Sequence, residues 1–170
     1  MATEHKTSVR PKDDGLGQAI ERFEQCLSAA VPGREKSWAE EAQGALRGLE
    51  AILARHTEAT EAADGMFTEV DLTRPTLSRQ VGKLRQEHRT LAESVVGLRQ
   101  ELEQAAKGFQ PPAAAPVTNS LPEPAGVEPA ADFAAIRGKG EQLLSALKEH
   151  KSEEVDLLLE SVDTDIGVGD

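Results

Sequence analysis

The stretch "VGKLRQEHRTLAESVVGLRQEL", residues 81–102, decides how this chain is read. Val81, Leu84, Leu91, Val95, Leu98 and Leu102 return every three or four positions, which places them on one face of an α-helix. The stripe has a single gap, and the residue in it is His88.

Working outward, the same stripe reaches back to Leu77, with Pro75 at the first turn and Thr73 as a candidate cap, and fades near Lys107-Gly108. Upstream, Trp38, Ala42, Ala45, Leu49, Ile52, His56, Ala59 or Thr60, and Ala63 form another helical face that ends at Asp64-Gly65. A shorter face, Leu16, Ala19, Ile20, Phe23, Leu27 and Ala30, precedes it and is closed by Val31-Pro32-Gly33. Between the second and third helices, "MFTEVDLTRP" at 66–75 reads as a turn-rich connection. Downstream, six prolines among Ala and Gly between 108 and 130 exclude regular structure and describe an extended linker. Asp132 then caps a last helix carrying Phe133, Ile136, Gly140, Leu143, Leu147, His150, Glu154 and Leu157 or Leu158.

The predicted fold is therefore all-α, an antiparallel up-down-up-down four-helix bundle with a Pro/Ala-rich linker before the fourth helix. Residues 1–13 are expected to be a flexible arm, 14–107 the first three helices, 108–130 the linker, 131–160 the fourth helix of the same domain, and 161–170 an acidic tail. Only 3% of the residues are aromatic and none is Tyr, so the core must be aliphatic, and strand-forming runs are almost absent.

A net charge of −11 argues against affinity for nucleic acid or anionic membranes. The first residues lack the apolar segment of a signal peptide, and no run is long enough to span a membrane, so a cytoplasmic location is expected. Cys26, the single cysteine, is read as a packed small hydrophobe, and Trp38 as core. "GLGQ" at 15–18 and "RGKGEQ" at 137–142 lack the preceding strand of a phosphate-binding loop and read as helix-start or helix-packing glycines. No nucleophile elbow, HExxH or Cys-His arrangement is present.

The histidines carry the functional information. His56, His88 and His150 each lie on the apolar stripe of a different helix, whereas His5 lies in the arm. With the turn between the second and third helices centred near Leu72, His56 and His88 are both 16 residues away, about 24 Å at 1.5 Å per residue. His88 and His150 are likewise both 19 residues from the ends of their helices at Lys107 and Ala131. All three are expected in one layer of the bundle interior. Buried imidazoles need hydrogen bonds, water or a cation between them, and neutral imidazole is a good donor to transition metals.

Glu154 follows His150 by four residues, about 40° round the helix, and so stays on the inner face. Glu61 follows His56 by five residues, about 140° round, and joins the layer only if the helix loosens there. Glu87 and Glu58 sit beside the stripe and read as solvated. The candidate metal ligands are thus His56, His88, His150, Glu154 and Glu61. The competing reading is a metal-free polar layer bridged by Glu154, Thr60 and water.

The segments "RHTEATEAADGMFTEV" (55–70), "LRQEHRTL" (84–91) and "LKEHKSEEVDLLLE" (147–160) resemble the hemerythrin-like (HHE cation-binding) family of four-helix bundles. More loosely, "DIGVGD" at 165–170 looks like the tail of some bacterial members. The resemblance implies inward-facing histidines and carboxylates holding iron, with His56, His88 and His150 in the histidine set and Glu61 and Glu154 as the nearest candidates for bridging carboxylates. The first helix has no histidine, and the position four before His88 is Leu84, so the ligand set is incomplete and implies a mononuclear or incomplete di-iron site. It implies a small diatomic or peroxide ligand. Turnover of peroxide or nitric oxide would be a further, dependent possibility. The alternative function is a metal-free helical bundle acting as an interaction or scaffold module.

Overall fold

Burial of the 81–102 stripe organises the molecule. In the structure, a computed structural model that describes residues 15–30, 33–108 and 132–163, Val81, Leu84, His88, Leu91, Val95, Leu98 and Leu102 are all buried on one face of a 31-residue helix. That helix is α4, Ser78–Gly108; it is preceded by α1 (Leu16–Ser28), α2 (Glu35–Glu61) and α3 (Met66–Thr73), and followed by α5 (Phe133–Asp163). A single 3₁₀ turn, Pro75–Leu77, joins α3 to α4. The described residues are all-helical apart from turns, and no helix among them is long and apolar enough to cross a membrane. The arm expected at 1–13, the 109–130 part of the linker and the tail beyond Asp163 lie outside the described residues.

Four helices close a ring of contacts, α1 with α2, α2 with α4, α4 with α5, and α5 with α1. Cross-helix ion pairs record the register: Arg99 with Glu50 at 3.1 Å, Lys83 with Glu153 at 2.6 Å, Lys139 with Glu101 at 2.7 Å and Lys148 with Glu24 at 2.7 Å. Such partly exposed pairs stabilise by about 0–1 kcal/mol each. They mark the alignment of the helices, and the apolar core supplies the energy.

That core has two parts. The larger joins α1, α2, α4 and α5 through Phe23, Leu46, Leu49, Leu53, Leu91, Val95, Leu102, Leu147 and their neighbours. The smaller consists of Phe67, Val70, Leu77, Val81, Leu84 and Leu157. On α4 the boundary between them falls between Leu84 and Leu91, where His88 stands. The face of α2 is broader than the predicted stripe, for Ala39, Leu46 and Leu53 are fully buried while Ile52 is only partly so. Trp38 is core as expected, and its indole N–H donates to the Cys26 carbonyl at 3.0 Å, tying the start of α2 to the end of α1. Cys26 is partly buried against the same core.

Three local expectations need correction. Residues 66–73 form a helix and not an irregular turn, because Phe67 and Val70 bury completely or nearly so against α2 and α4. An eight-residue helix is marginal alone and is held here by packing. Thr73 therefore ends α3 and does not cap α4; its hydroxyl donates back to the Glu69 carbonyl at 2.8 Å. At the other end of the chain, α5 runs past 160 to Asp163, where Arg74 Nε donates to the Ser161 carbonyl at 3.2 Å. The cap assigned to Asp132 is present, its carboxylate accepting the Ala135 N–H at 3.0 Å.

Two glycines mark close approaches. A Cβ on Gly140 would lie 2.7 Å from Leu27 Cδ2, so "RGKGEQ" contains a packing glycine that lets α5 approach α1. A Cβ on Gly65 would lie 2.5 Å from the Thr60 carbonyl oxygen and 2.6 Å from that of Ala59. Those atoms are backbone and cannot swing aside. Gly65→Ala is expected to destabilise the fold by about 1–3 kcal/mol, read as a lower urea midpoint, whereas Gly82→Ala, where nothing lies within 4 Å, leaves it unchanged or slightly higher.

Candidate metal centre

The stripes of α2, α4 and α5 bring His56, His88 and His150 together at the junction of the two cores. All three are buried, at 5%, 1% and 1% exposure, and Glu154 joins them at 8%. Ring centroids are 5.2 Å apart for His56 and His88, 6.1 Å for His56 and His150, and 4.7 Å for His88 and His150. The equal depths inferred from residue counting thus correspond to one shared layer.

A single oxygen stands at its centre. Glu154 Oε1 lies 2.8 Å from His56 Nε2, 3.5 Å from His150 Nε2 and 3.6 Å from His88 Nε2. Taking one donor atom from each of the four residues, all lie within 4.8 Å of one another. An ionised carboxylate only accepts hydrogen bonds, so His56 carries a proton on the nitrogen that faces it. The other two contacts do not make hydrogen bonds. His88 Nε2 and His150 Nε2 are buried side-chain nitrogens without a hydrogen-bond partner.

The opposite edges of those two rings are held firmly. His88 Nδ1 donates to Glu61 Oε1 at 2.8 Å, and His150 Nδ1 donates to Glu87 Oε2 at 2.8 Å. Glu61 is therefore in contact with the layer, but on the outer side of His88 and outside the four-residue group, as its 140° offset on the helix would place it. Glu87, read as solvated, is the residue sequence reasoning missed. It projects from α4 across to α5 and is also 3.3 Å from Lys83, which in turn binds Glu153. The available signal was its place beside His88 with Lys83 four residues earlier. Glu58 is exposed, as expected. Thr60 does not bridge the layer, because its hydroxyl donates to the His56 carbonyl of its own helix at 2.9 Å.

The rest of the wall is apolar. Phe67 of α3 stacks on His88 with centroids 5.4 Å apart and planes at 21°, and Leu84 packs below it in the smaller core. No ordinary pairing of hydrophobic residues explains such a layer energetically. Replacing buried ion pairs by apolar residues of similar volume is often neutral or stabilising by about 1–4 kcal/mol, so stability alone gives no reason for three histidines and a carboxylate here.

The donor set fits a first-row transition metal. Three imidazole nitrogens and one carboxylate oxygen match the chemistry of zinc, iron, copper or nickel. Ligands about 2.0–2.1 Å from a tetrahedral ion stand about 3.4 Å apart, close to the 3.5 and 3.6 Å found from Glu154 Oε1 to His150 and His88. The 2.8 Å contact to His56 would lengthen as its proton left.

Electrostatics within the layer give a pH signature to the metal-free protein. Burial pushes the Glu154 carboxyl upward, but the close approach of the His150, His56 and His88 nitrogens, only the second of which is hydrogen-bonded to it, outweighs burial and holds the group well below the usual carboxylate range. Burial pushes His150 downward, yet Glu154 and Glu87 together raise it above its ordinary 6.5. The Glu154 contribution to stability is present above the ordinary carboxylate value and is lost as pH falls through the depressed one. The His150 contribution is present below 6.5 and is lost as pH rises through the raised value. Urea midpoints of metal-free protein are expected to peak at about pH 5–6 and fall toward alkaline pH. A metal requires deprotonated nitrogens, so metal affinity should rise over the same alkaline interval; parallel trends would contradict this electrostatic assignment.

Comparison with family models, with curated proteins and with solved structures found no match to this chain in any of the three.

Proposed function

We propose that this chain is a hemerythrin-like four-helix bundle of up-down-up-down order with a reduced site, binding one transition metal ion through His56, His88, His150 and Glu154. The supporting observation is the pair of buried, unpartnered nitrogens, His88 Nε2 and His150 Nε2, aimed at the same carboxylate oxygen that His56 binds. A cation between them would satisfy both nitrogens and balance the carboxylate. The helix order is supported by the register pairs, in which residue numbers rise along one helix as they fall along its neighbour, as in Lys83 with Glu153 and Glu101 with Lys139.

One ion is favoured over two. Leu84 and Leu157 line the layer on the α3 side, and Leu53, Leu91 and Leu147 line it on the other, so a second ion would meet hydrocarbon. Glu61 and Glu87, which a second ion would need as ligands, are committed to the outer nitrogens. Iron is the first candidate on the strength of the resemblance. When bound, such a metal supplies a Lewis-acidic position at which a diatomic molecule or peroxide can coordinate. The protein's own part is to hold four donors ready around one point and to exclude bulk water with Phe67 and the leucines.

Metal analysis of protein produced with iron available tests the proposal. About one equivalent of metal is expected, falling to background in His56→Ala, His88→Ala and His150→Ala, with a rise in thermal midpoint on metal addition that these variants lack. Trace metal in the wild-type protein that is unchanged in His88→Ala would contradict it and favour a metal-free scaffold.

A further inference from the structure

The outer carboxylates are unequal to ordinary surface acids in one respect: each spends an oxygen on a histidine nitrogen that faces away from the centre. Both Glu61 and Glu87 are 27% exposed at the side chain, while the rings that they hold are 1% exposed. Each therefore joins solvent to a buried ligand. Because an ionised carboxylate cannot donate, each contact fixes the proton of its histidine on Nδ1.

We infer that Glu61 and Glu87 are positioning residues that hold His88 and His150 in the Nδ1–H tautomer, with Nε2 turned inward as an unprotonated donor. The inference rests on the metal reading proposed above and deepens it by naming what prepares the site. A neutral imidazole has one donor and one acceptor nitrogen, and the inward nitrogen coordinates only if the proton is kept on the other. The carboxylate also makes the ring a stronger electron-pair donor. Without it, the proton is free to move to Nε2, where Glu154 Oε1 at 3.5–3.6 Å offers the nearest acceptor, and the ring would then turn its N–H into the centre.

The two arms differ in reinforcement. Glu87 is gripped from outside by Lys83, which also binds Glu153 on α5 through both of its oxygens at 2.6 and 2.7 Å. That chain, Lys83 to Glu87 to His150, crosses from α4 to α5 at the level of the layer. Glu61 is the last residue of α2 and sits just before Gly65, whose close fit against the Ala59 and Thr60 carbonyls fixes the path of the chain there. The end of α2 thereby carries Glu61 onto His88, although helical periodicity directs it away from the core.

Cobalt(II) is a suitable probe, since its visible spectrum reports ligand number and geometry. Full-length wild-type protein is compared with Glu87→Gln, Glu87→Ala, Glu61→Gln and Glu61→Ala. The glutamine variants keep an oxygen that accepts from Nδ1–H but lose the charge, and the alanine variants lose both. Alanine at either position is expected to weaken cobalt binding about 10–100-fold with the stoichiometry kept, and glutamine is expected to restore part of the loss. Nitrogen-15 shifts of the metal-free protein, recorded where the rings are neutral, should show His88 and His150 as Nδ1–H tautomers in wild-type and glutamine proteins and a shift toward Nε2–H in the alanine variants. Equal cobalt affinity in all five proteins, or Nε2–H rings in the wild type, would overturn the inference. Failure of the wild type to bind cobalt, zinc or iron overturns the metal proposal, whereas the tautomer measurement still decides whether these glutamates set the proton's position.

Discussion

Everything at the centre of this bundle depends on Glu154 Oε1, a single buried oxygen with three imidazole nitrogens around it. Removing a carboxylate from water costs several kcal/mol even after relaxation. One direct hydrogen bond, from His56, offsets part of that, and the remaining two nitrogens approach without bonding. The arrangement has the charge of its anion only partly satisfied and two electron-pair donors pointing at the same space. That combination is poor for a stable core and good for holding a cation.

The surrounding fold makes this arrangement possible by dividing the hydrophobic core in two. Leucines of α2, α4 and α5 close the layer on one side, and the smaller cluster of Phe67, Val70, Leu77, Val81, Leu84 and Leu157 closes it on the other. The short helix α3 matters more than its length suggests, because Phe67 lies flat against His88 and excludes water from that face. Arg85 of α4 fixes α3 from outside through Asp71 at 2.9 Å, and Arg74 ties the α3–α4 junction to the last turn of α5. The polar layer is thus enclosed by elements that come from both halves of the chain, before and after the proline-rich stretch.

Much of this could be read from the sequence, and the reasons are geometric. The stripes of α2, α4 and α5 show through because their apolar faces are long and regular, and a histidine replacing a leucine in such a stripe has nowhere to go but inward. Counting residues from the ends near Lys107 and Ala131 placed His88 and His150 at one depth, since rise per residue varies little along a helix. The count that set His56 level with them ran through the end of α2 at Glu61 and through α3, so its agreement does not follow from helical rise. Glu154 followed from its i+4 spacing to His150. What periodicity could not supply was lateral reach. Glu87 lies on the flank of α4, and only the closeness of α5 turns it from a surface acid into the partner of His150. Glu61 was placed at the correct angle, but its contact with the outer nitrogen of His88 depends on where α4 lies. Residues 66–73 were too few to display a helical period, and tertiary burial of Phe67 and Val70 decided their conformation. Thr60 failed as a bridge because a threonine inside a helix can satisfy its hydroxyl on its own backbone.

The proposed site is defined by position, one ion held by His56, His88, His150 and Glu154 between two aliphatic layers. Anomalous X-ray diffraction at the absorption edge of the bound metal tests it most directly, on crystals of full-length protein grown after metal loading. One strong peak is expected within bonding distance of His56 Nε2, His88 Nε2, His150 Nε2 and a Glu154 carboxylate oxygen, with Glu61 and Glu87 still on the outer nitrogens. A peak elsewhere on the protein, or none between these side chains in crystals of fully loaded protein, would contradict it.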